Sequence, residues 1–174
     1  FRPSIIVGDA SDGHTCNFAT FYRALKMIAK GWIRDIPADP ESHLDVVTVD
    51  YVAKAIVDLT VHPRRRGAVY HVTAGADRSV RLGDLVDTAR SCVHRDGTRS
   101  VPRAATPRAG LSVFFSYLGS VQIFDDATTR ADLGPDGPLP ERPEVYLPRM
   151  LAFCTGTDWG RSLPWEDQSW QPAA

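Results

Sequence analysis

Phe1-Arg2-Pro3-Ser4-Ile5-Ile6-Val7-Gly8-Asp9 opens the chain and decides how the rest is read. Ile5, Ile6 and Val7 are consecutive, apolar and β-branched, and the run stops at a glycine. A run this short, without polar alternation, reads as a buried strand of a parallel sheet. No polar or capped stretch leads into it, so the sequence predicts a chain entered midway through a fold.

Two later stretches share this character. Leu44 to Val49 is rich in β-branched residues and reads as a strand. Asp50 then caps a helix running from Tyr51 to about Val61, with Val52, Ile56 and Leu59 inward. Ala68 to Val72 is the third strand, followed by a polar loop over Thr73 to Ser79. All three strands are apolar enough to be covered on both faces.

Helical patterns lie between and after them. Gly8 to Asn17 is a loop, and Asn17 suits the N-cap of a helix carrying Phe18, Phe21, Tyr22, Leu25, Ile28 and Ala29 on one face. Gly31 stops that helix, and Pro37 and Pro40 keep Trp32 to Ser42 irregular. Leu82, Leu85, Val86, Ala89 and Val93 mark another amphipathic helix ending near His94. Beyond it the sequence predicts a long exposed loop over Arg95 to Gly110 and an apolar helix over Leu111 to Leu118. A short extended piece over Val121 to Phe124 and a helix over Ala127 to Leu133 capped by Asp126 follow. Gly134 to Pro143 is a proline-rich loop and Glu144 to Cys154 a final helix. A tail over 156–174 carries Trp159, Trp165 and Trp170, indoles expected to dock on their own chain.

Composition narrows the function classes. At 174 residues one domain is the default, and 43% apolar with 24% charged residues is ordinary for a globular chain. A net charge of −1 gives no bulk attraction to nucleic acid or to a membrane surface. The Arg64-Arg65-Arg66 cluster reads as a solvated turn. Cys16, Cys92 and Cys154 are too scattered for a disulfide framework. With no Cys-x-x-Cys and with isolated histidines, no metal site is expected. No apolar run approaches the ~20 residues of a membrane span, no secretory leader opens the sequence, and a reducing cytoplasm is the expected location. Gly-x-Ser-x-Gly and phosphate-loop patterns are absent, which removes serine hydrolase and nucleoside-triphosphate readings.

Arg2-Pro3-Ser4-Ile5-Ile6-Val7-Gly8-Asp9 resembles the segment after the catalytic helix of extended short-chain dehydrogenases/reductases. The nearest branch is the thioester-reductase and fatty-acyl reductase group, also known as the male-sterility type. Leu44-Asp45-Val46-Val47-Thr48-Val49-Asp50-Tyr51-Val52-Ala53 is similar to that family's next strand and helix start. Val69-Tyr70-His71-Val72-Thr73-Ala74-Gly75 is similar to its following strand and turn. Phe124-Asp125-Asp126 and Tyr146-Leu147-Pro148 resemble its closing part.

The resemblance implies an α/β fold: the C-terminal part of a Rossmann-like reductase, with parallel strands, helices and a mostly helical substrate-side region. Residues 1–155 would be that portion and 156–174 a tail. It implies an NAD(P)H-dependent oxidoreductase that reduces an acyl thioester, aldehyde or ketone, small or carrier-bound. NADPH or NADH would be held mainly by an N-terminal half, the chain's own partner, bearing the glycine-rich turn and the Tyr/Lys helix. No Gly-x-Gly-x-x-Gly occurs here, so no catalytic residue is assigned and the isolated chain is expected to be inactive. Pro3, Ser4 and Ile5 fall where the family's chain passes the nicotinamide, and Gly8 and Phe18 fall on the substrate side. Neither nucleic acid nor a membrane span is implied.

Tyr22-Arg23-Ala24-Leu25-Lys26 competes with this reading, because Tyr-x-x-x-Lys is the superfamily's proton-transfer pair and Ser11 lies upstream. One helical turn brings two such side chains together, and an ammonium lowers a phenol's pKa. The order of elements opposes it, since the motif follows the Arg-Pro segment instead of preceding it, and Tyr22 fits the apolar face of its helix. The remaining alternative is a binding or scaffold module that keeps the fold without activity.

Overall fold

The computed structural model describes residues 1–33, 36, 38–62, 67–95 and 123–162. The expected helix over Leu111 to Leu118, the arginine turn at 64–66, nearly all of the loop after Arg95, and Trp165 and Trp170 lie outside the described residues.

The opening segment is extended but changes partners at Ser4. Strand β1 (Arg2–Pro3) runs parallel to β5 (His71–Val72), with Pro3 opposite Val72. Strand β2 (Ile5–Val7) runs parallel to β4 (Val46–Thr48), with Ile5 opposite Val46. Successive amides point to opposite neighbours: Ser4 N–H donates to the Val72 carbonyl at 3.3 Å and Ile5 N–H to the Asp45 carbonyl at 3.4 Å. The segment is therefore central, with β5 on one side and β4 on the other.

The expected strand over Leu44 to Val49 is interrupted at Asp45. Its first part, β3 (His43–Leu44), pairs antiparallel with β6 (Val80–Arg81), a strand too short to leave a pattern in sequence. The expected strand over Ala68 to Val72 shortens to His71–Val72, and Ile123 and Phe124 form none. Full coverage of the strands also fails. Ile6 is 43% exposed, and Phe1 and Val69 are 50% and 53% exposed, because no described element covers that side.

The helices follow their periodicity more closely. They are α1 (Thr20–Ala29), α2 (Val49–Val61), α3 (Leu82–Arg95), α4 (Ala127–Leu133) and α5 (Pro143–Gly156). Helix α1 starts later than expected. Asn17 does not cap it; its Oδ1 accepts the Ala19 amide at 2.9 Å, an Asx turn just before the helix. Gly31 ends α1 with φ +68°. Helix α2 begins at Val49, which places Asp50 inside the first turn instead of at the cap. Asp126 occupies the N-cap of α4 without a capping bond; its carboxylate takes the Arg130 Nε–H at 2.7 Å. Pro143 opens α5 at N1, where a missing N–H costs nothing.

Two cores result. Helices α1, α3 and α5 bury Leu25, Ile28, Leu85, Ala89, Met150 and Leu151 against Val7, Leu44, Val46 and Val80. Trp159 is buried in the same core, so the first indole of the tail docks on its own chain. Helix α2 buries Tyr51, Val52 and Leu59 against Val47, Val72 and Leu133 of α4. The first core fixes the back of α1, and the Gly8-to-Ala19 connection is left to enclose space in front of β2.

Candidate functional site

A cavity of about 500 Å³ opens at the C-terminal end of β2, within the ~300–1,000 Å³ range usual for ligand sites. Its strand side is Ile5, Ile6, Val7 and Gly8, with Val49 beside them. His14, Cys16 and Asn17 of the connecting loop line it from the other side. The walls are mostly apolar, and the polar groups lie on the loop.

The loop is held at several points. Asp9 N–H donates to the His14 carbonyl at 3.0 Å and Gly13 N–H to the Asp9 carbonyl at 2.8 Å, closing a tight turn. Ala10 N–H donates to Asp50 Oδ1 at 3.0 Å. Burial works to raise the Asp50 carboxyl, but the Ala10 amide and the nearby Lys54 ammonium prevail and hold it below the ordinary carboxylate range. The sequence reading of Asp50 as a helix cap is thereby corrected: it anchors the loop. On the far side Arg149 Nη1–H of α5 donates to the Ala10 carbonyl at 2.9 Å.

Tyr22 reaches the site from α1. Gly8 N–H donates to its hydroxyl oxygen at 2.8 Å, and the side chain is buried. Burial pushes the phenol up to about 12, against the opposing effect of the Gly8 amide. Lys26, one turn on, lies among Asp158, Arg161 and Lys30, with burial lowering its pKa. A phenol raised to about 12 stays protonated near neutrality, and its oxygen accepts the Gly8 amide, so Tyr22 packs and positions Gly8. Tyr22→Phe leaves a buried amide without its acceptor and should cost about 1–3 kcal/mol of stability, with turnover of the complete protein close to the parent's. A loss of roughly 100-fold in turnover, with circular dichroism unchanged, contradicts this.

The five residues singled out in sequence are not all brought together. Ile5 and Gly8 line the cavity. Pro3 and Ser4 do not line it: Pro3 is exposed, and Ser4 is half-buried, with its hydroxyl oxygen shut off from solvent. Phe18 is not part of the lining; it packs on Tyr22 at 5.5 Å and stacks on Phe153 of α5 at 6.4 Å between ring centroids. Asp45 was missed. It is 7% exposed, its Oδ1 accepts the Ala74 amide at 2.8 Å, and burial raises its carboxyl above the ordinary range. The signal was a carboxylate inside the apolar run Leu44-Asp45-Val46, since aspartate is seldom fully buried without a reason. Among the described residues no three of His, Cys, Asp or Glu converge on a metal position, and no described helix is long and apolar enough to cross a membrane.

With this geometry in place, the likeness to known proteins is specific. Two solved structures share the fold. The terminal R domain from the myxalamid PKS-NRPS biosynthetic pathway aligns with a TM-score of 0.66 at 21% identity, over 91% of this chain and 43% of that one. UDP-glucose 4-epimerase from Thermotoga maritima aligns with a TM-score of 0.53 at 19% identity, over 90% of this chain and 45% of that one. The class is thus a mixed α/β fold with parallel strands, Rossmann-like in architecture. Residues 1–56 match the family described as Male sterility protein. A probable fatty acyl-CoA reductase 4 from Arabidopsis thaliana is 28% identical over 129 residues, which is 67% of this chain and 26% of that protein. In sequence, then, the likeness is to the Male sterility protein family over the first 56 residues and to a probable fatty acyl-CoA reductase over 129. The chain spans about a quarter of the curated relative's length and less than half of either solved chain.

Proposed function

We propose that this chain supplies the substrate side of an NAD(P)H-dependent reductase that acts on acyl thioesters, aldehydes or ketones, in a cytoplasmic setting. The observation that carries the reading is the cavity at the end of β2, lined by Ile5 to Gly8 on the strand side and by the loop after Gly8 on the other. Ligands of open α/β folds bind beyond the carboxyl ends of the strands, which is where this cavity lies. In this reading residues 1–155 are that portion and 156–174 a tail, whose Trp159 is buried in the first core.

The residues present fit one end of a nicotinamide cofactor. Pro3 offers no N–H and Ile5 offers an apolar wall, a surface suited to an aromatic ring edge. The pyrophosphate end needs free amides at a helix N-terminus reached through glycines, and this sequence has no such turn. That part, and the proton donor, belong to an N-terminal half. When bound, NADPH or NADH supplies the hydride that reduces the substrate carbonyl. Ile5, Val7 and Val49 exclude water from the cavity. Tyr22 fixes the Gly8 backbone at its floor, and Phe18 supports the wall from behind. A non-catalytic binding module is the second reading, favoured by the burial of Tyr22, whose oxygen is taken up by the Gly8 amide.

Val49 tests the reading, because it lines the cavity yet is 45% exposed, so a larger side chain fits without disturbing the core. In the complete reductase Val49→Trp should raise KM for an acyl thioester roughly tenfold, about 1.4 kcal/mol, with cofactor affinity unchanged. An unchanged KM removes the cavity from the substrate path.

A further inference from the structure

Ser4 and Asp45 interrupt their strands at the same level. Ile5 is opposite Val46, so Ser4 and Asp45 are neighbours one step earlier. Pro3 is opposite Val72, so Thr73 flanks Ser4 from the other side. Each of the three carries an oxygen shut off from solvent with no hydrogen-bond partner among the described residues: Ser4 Oγ, Asp45 Oδ2 and Thr73 Oγ1. An unpaired buried polar atom costs about 1–3 kcal/mol, so three in one row call for a reason. Asp45 already uses its other oxygen. Oδ1 takes the Ala74 amide at 2.8 Å, and its backbone carbonyl takes the Ile5 amide at 3.4 Å. The carboxyl thus reaches from the start of β4, past the central segment, to the turn beyond β5.

We propose that Asp45 is a positioning residue that clamps Pro3-Ser4-Ile5 between β4 and β5, with Oδ1 on the Ala74 amide, its main-chain carbonyl on the Ile5 amide and its carboxyl beside the Ser4 hydroxyl. The proposal rests on the reductase reading only in that this segment meets the nicotinamide. The Ser4 hydroxyl lies close enough to act on the ionisation of Asp45. Burial raises the carboxyl's pKa, the Ala74 amide and Ser4 hydroxyl lower it, and Asp126 of α4 raises it further. Arg130 of α4 pairs with Asp126, and the Tyr51 phenol of α2 and the Tyr146 phenol of α5 both sense the charge of Asp45. Arg78, in the loop before β6, also acts on Tyr51. The folded pKa of Asp45 therefore stands above its unfolded value. Its contribution to stability is whole below the unfolded value of about 3.9 and is lost as pH rises through the folded one.

The test uses the complete protein with Asp45→Ala and Asp45→Asn. The asparagine keeps an acceptor for Ala74 and offers an N–H to Ser4. Hydrogen exchange at the Ala74 and Ile5 amides should accelerate at least about tenfold in Asp45→Ala and stay within about threefold of the parent in Asp45→Asn. The melting temperature of Asp45→Asn should gain on the parent as pH rises above the unfolded value, since only the parent ionises. Unchanged exchange in Asp45→Ala, or a pH-independent gap between Asp45→Asn and the parent, overturns the clamp. Should Asp45→Ala fail to fold, Ser4→Ala takes its place: faster exchange at Ile5 supports the clamp and parental exchange overturns it. NADPH titration separates the two claims. A dissociation constant raised about tenfold in Asp45→Ala supports both. Faster exchange with an unchanged dissociation constant keeps the clamp and removes the segment from the nicotinamide.

Discussion

Gly13→Ala is expected to unfold the protein or to lower its stability by more than about 4 kcal/mol, a loss reserved for backbone conflicts and core defects. Gly13 has φ +78°, a conformation that a side chain rarely adopts. A Cβ there would also sit 2.5 Å from the Arg149 carbonyl oxygen and 2.5 Å from the Met150 Cα. Those are backbone atoms of α5, whose Met150 and Leu151 are fixed in the first core, so the loop has to leave the helix. Gly67 supplies the control, with φ +70° and nothing within 4 Å of where a Cβ would sit. Gly67→Ala should cost only the conformational strain, about 1 kcal/mol. Comparable melting temperatures for the two variants would contradict a loop docked this tightly.

The second large effect concerns cofactor binding. The 174-residue chain should bind NADPH at least roughly 100-fold more weakly than the polypeptide extended to the length of its relatives, a difference of about 2.7 kcal/mol. The reason lies in the proposed site: the nicotinamide would meet Pro3 and Ile5, and the sequence has no Gly-x-Gly-x-x-Gly turn for a pyrophosphate. Phe1, Ile6 and Val69, exposed along the uncovered side of the central segment, should become protected in the extended polypeptide. Calorimetry on both proteins measures the affinities. Equal affinity would place the nucleotide on this chain alone, against a division of the cofactor between two halves.

Helices were legible because their signal is local. The spacing of Leu25, Ile28 and Ala29, and the boundaries of Ala127 to Leu133, follow from neighbours within one turn. Strands of two or three residues take their limits from partners far along the chain. The sequence of Leu44 to Val49 does not show that β3 turns to Val80 while β4 turns to Ile5. Asp50 shows the same limit: a capping position explains it locally, but its carboxylate serves the Ala10 amide 40 residues earlier. Within the site, the resemblance of the opening segment to the reductase family singles out Ile5 and Gly8, and both line the cavity. Phe18 was drawn toward the cavity by proximity in sequence, and it turns instead to Tyr22 and Phe153. Tyr22 is buried on the apolar face of α1, where its spacing predicts packing. The approach of Gly13 to α5 and the row of Ser4, Asp45 and Thr73 have no local pattern, because each is made by elements that meet only after folding.

Hydride transfer by the complete protein is the most direct test of the reductase reading. With deuterium at C4 of the nicotinamide ring of NADPH or NADH and an acyl thioester or an aldehyde as substrate, mass spectrometry of the reduced product reads the outcome. The expected result is deuterium on the carbon of the former carbonyl, with one cofactor oxidised for each hydride delivered. A complete protein that binds the cofactor and transfers no deuterium to any carbonyl of these classes contradicts it.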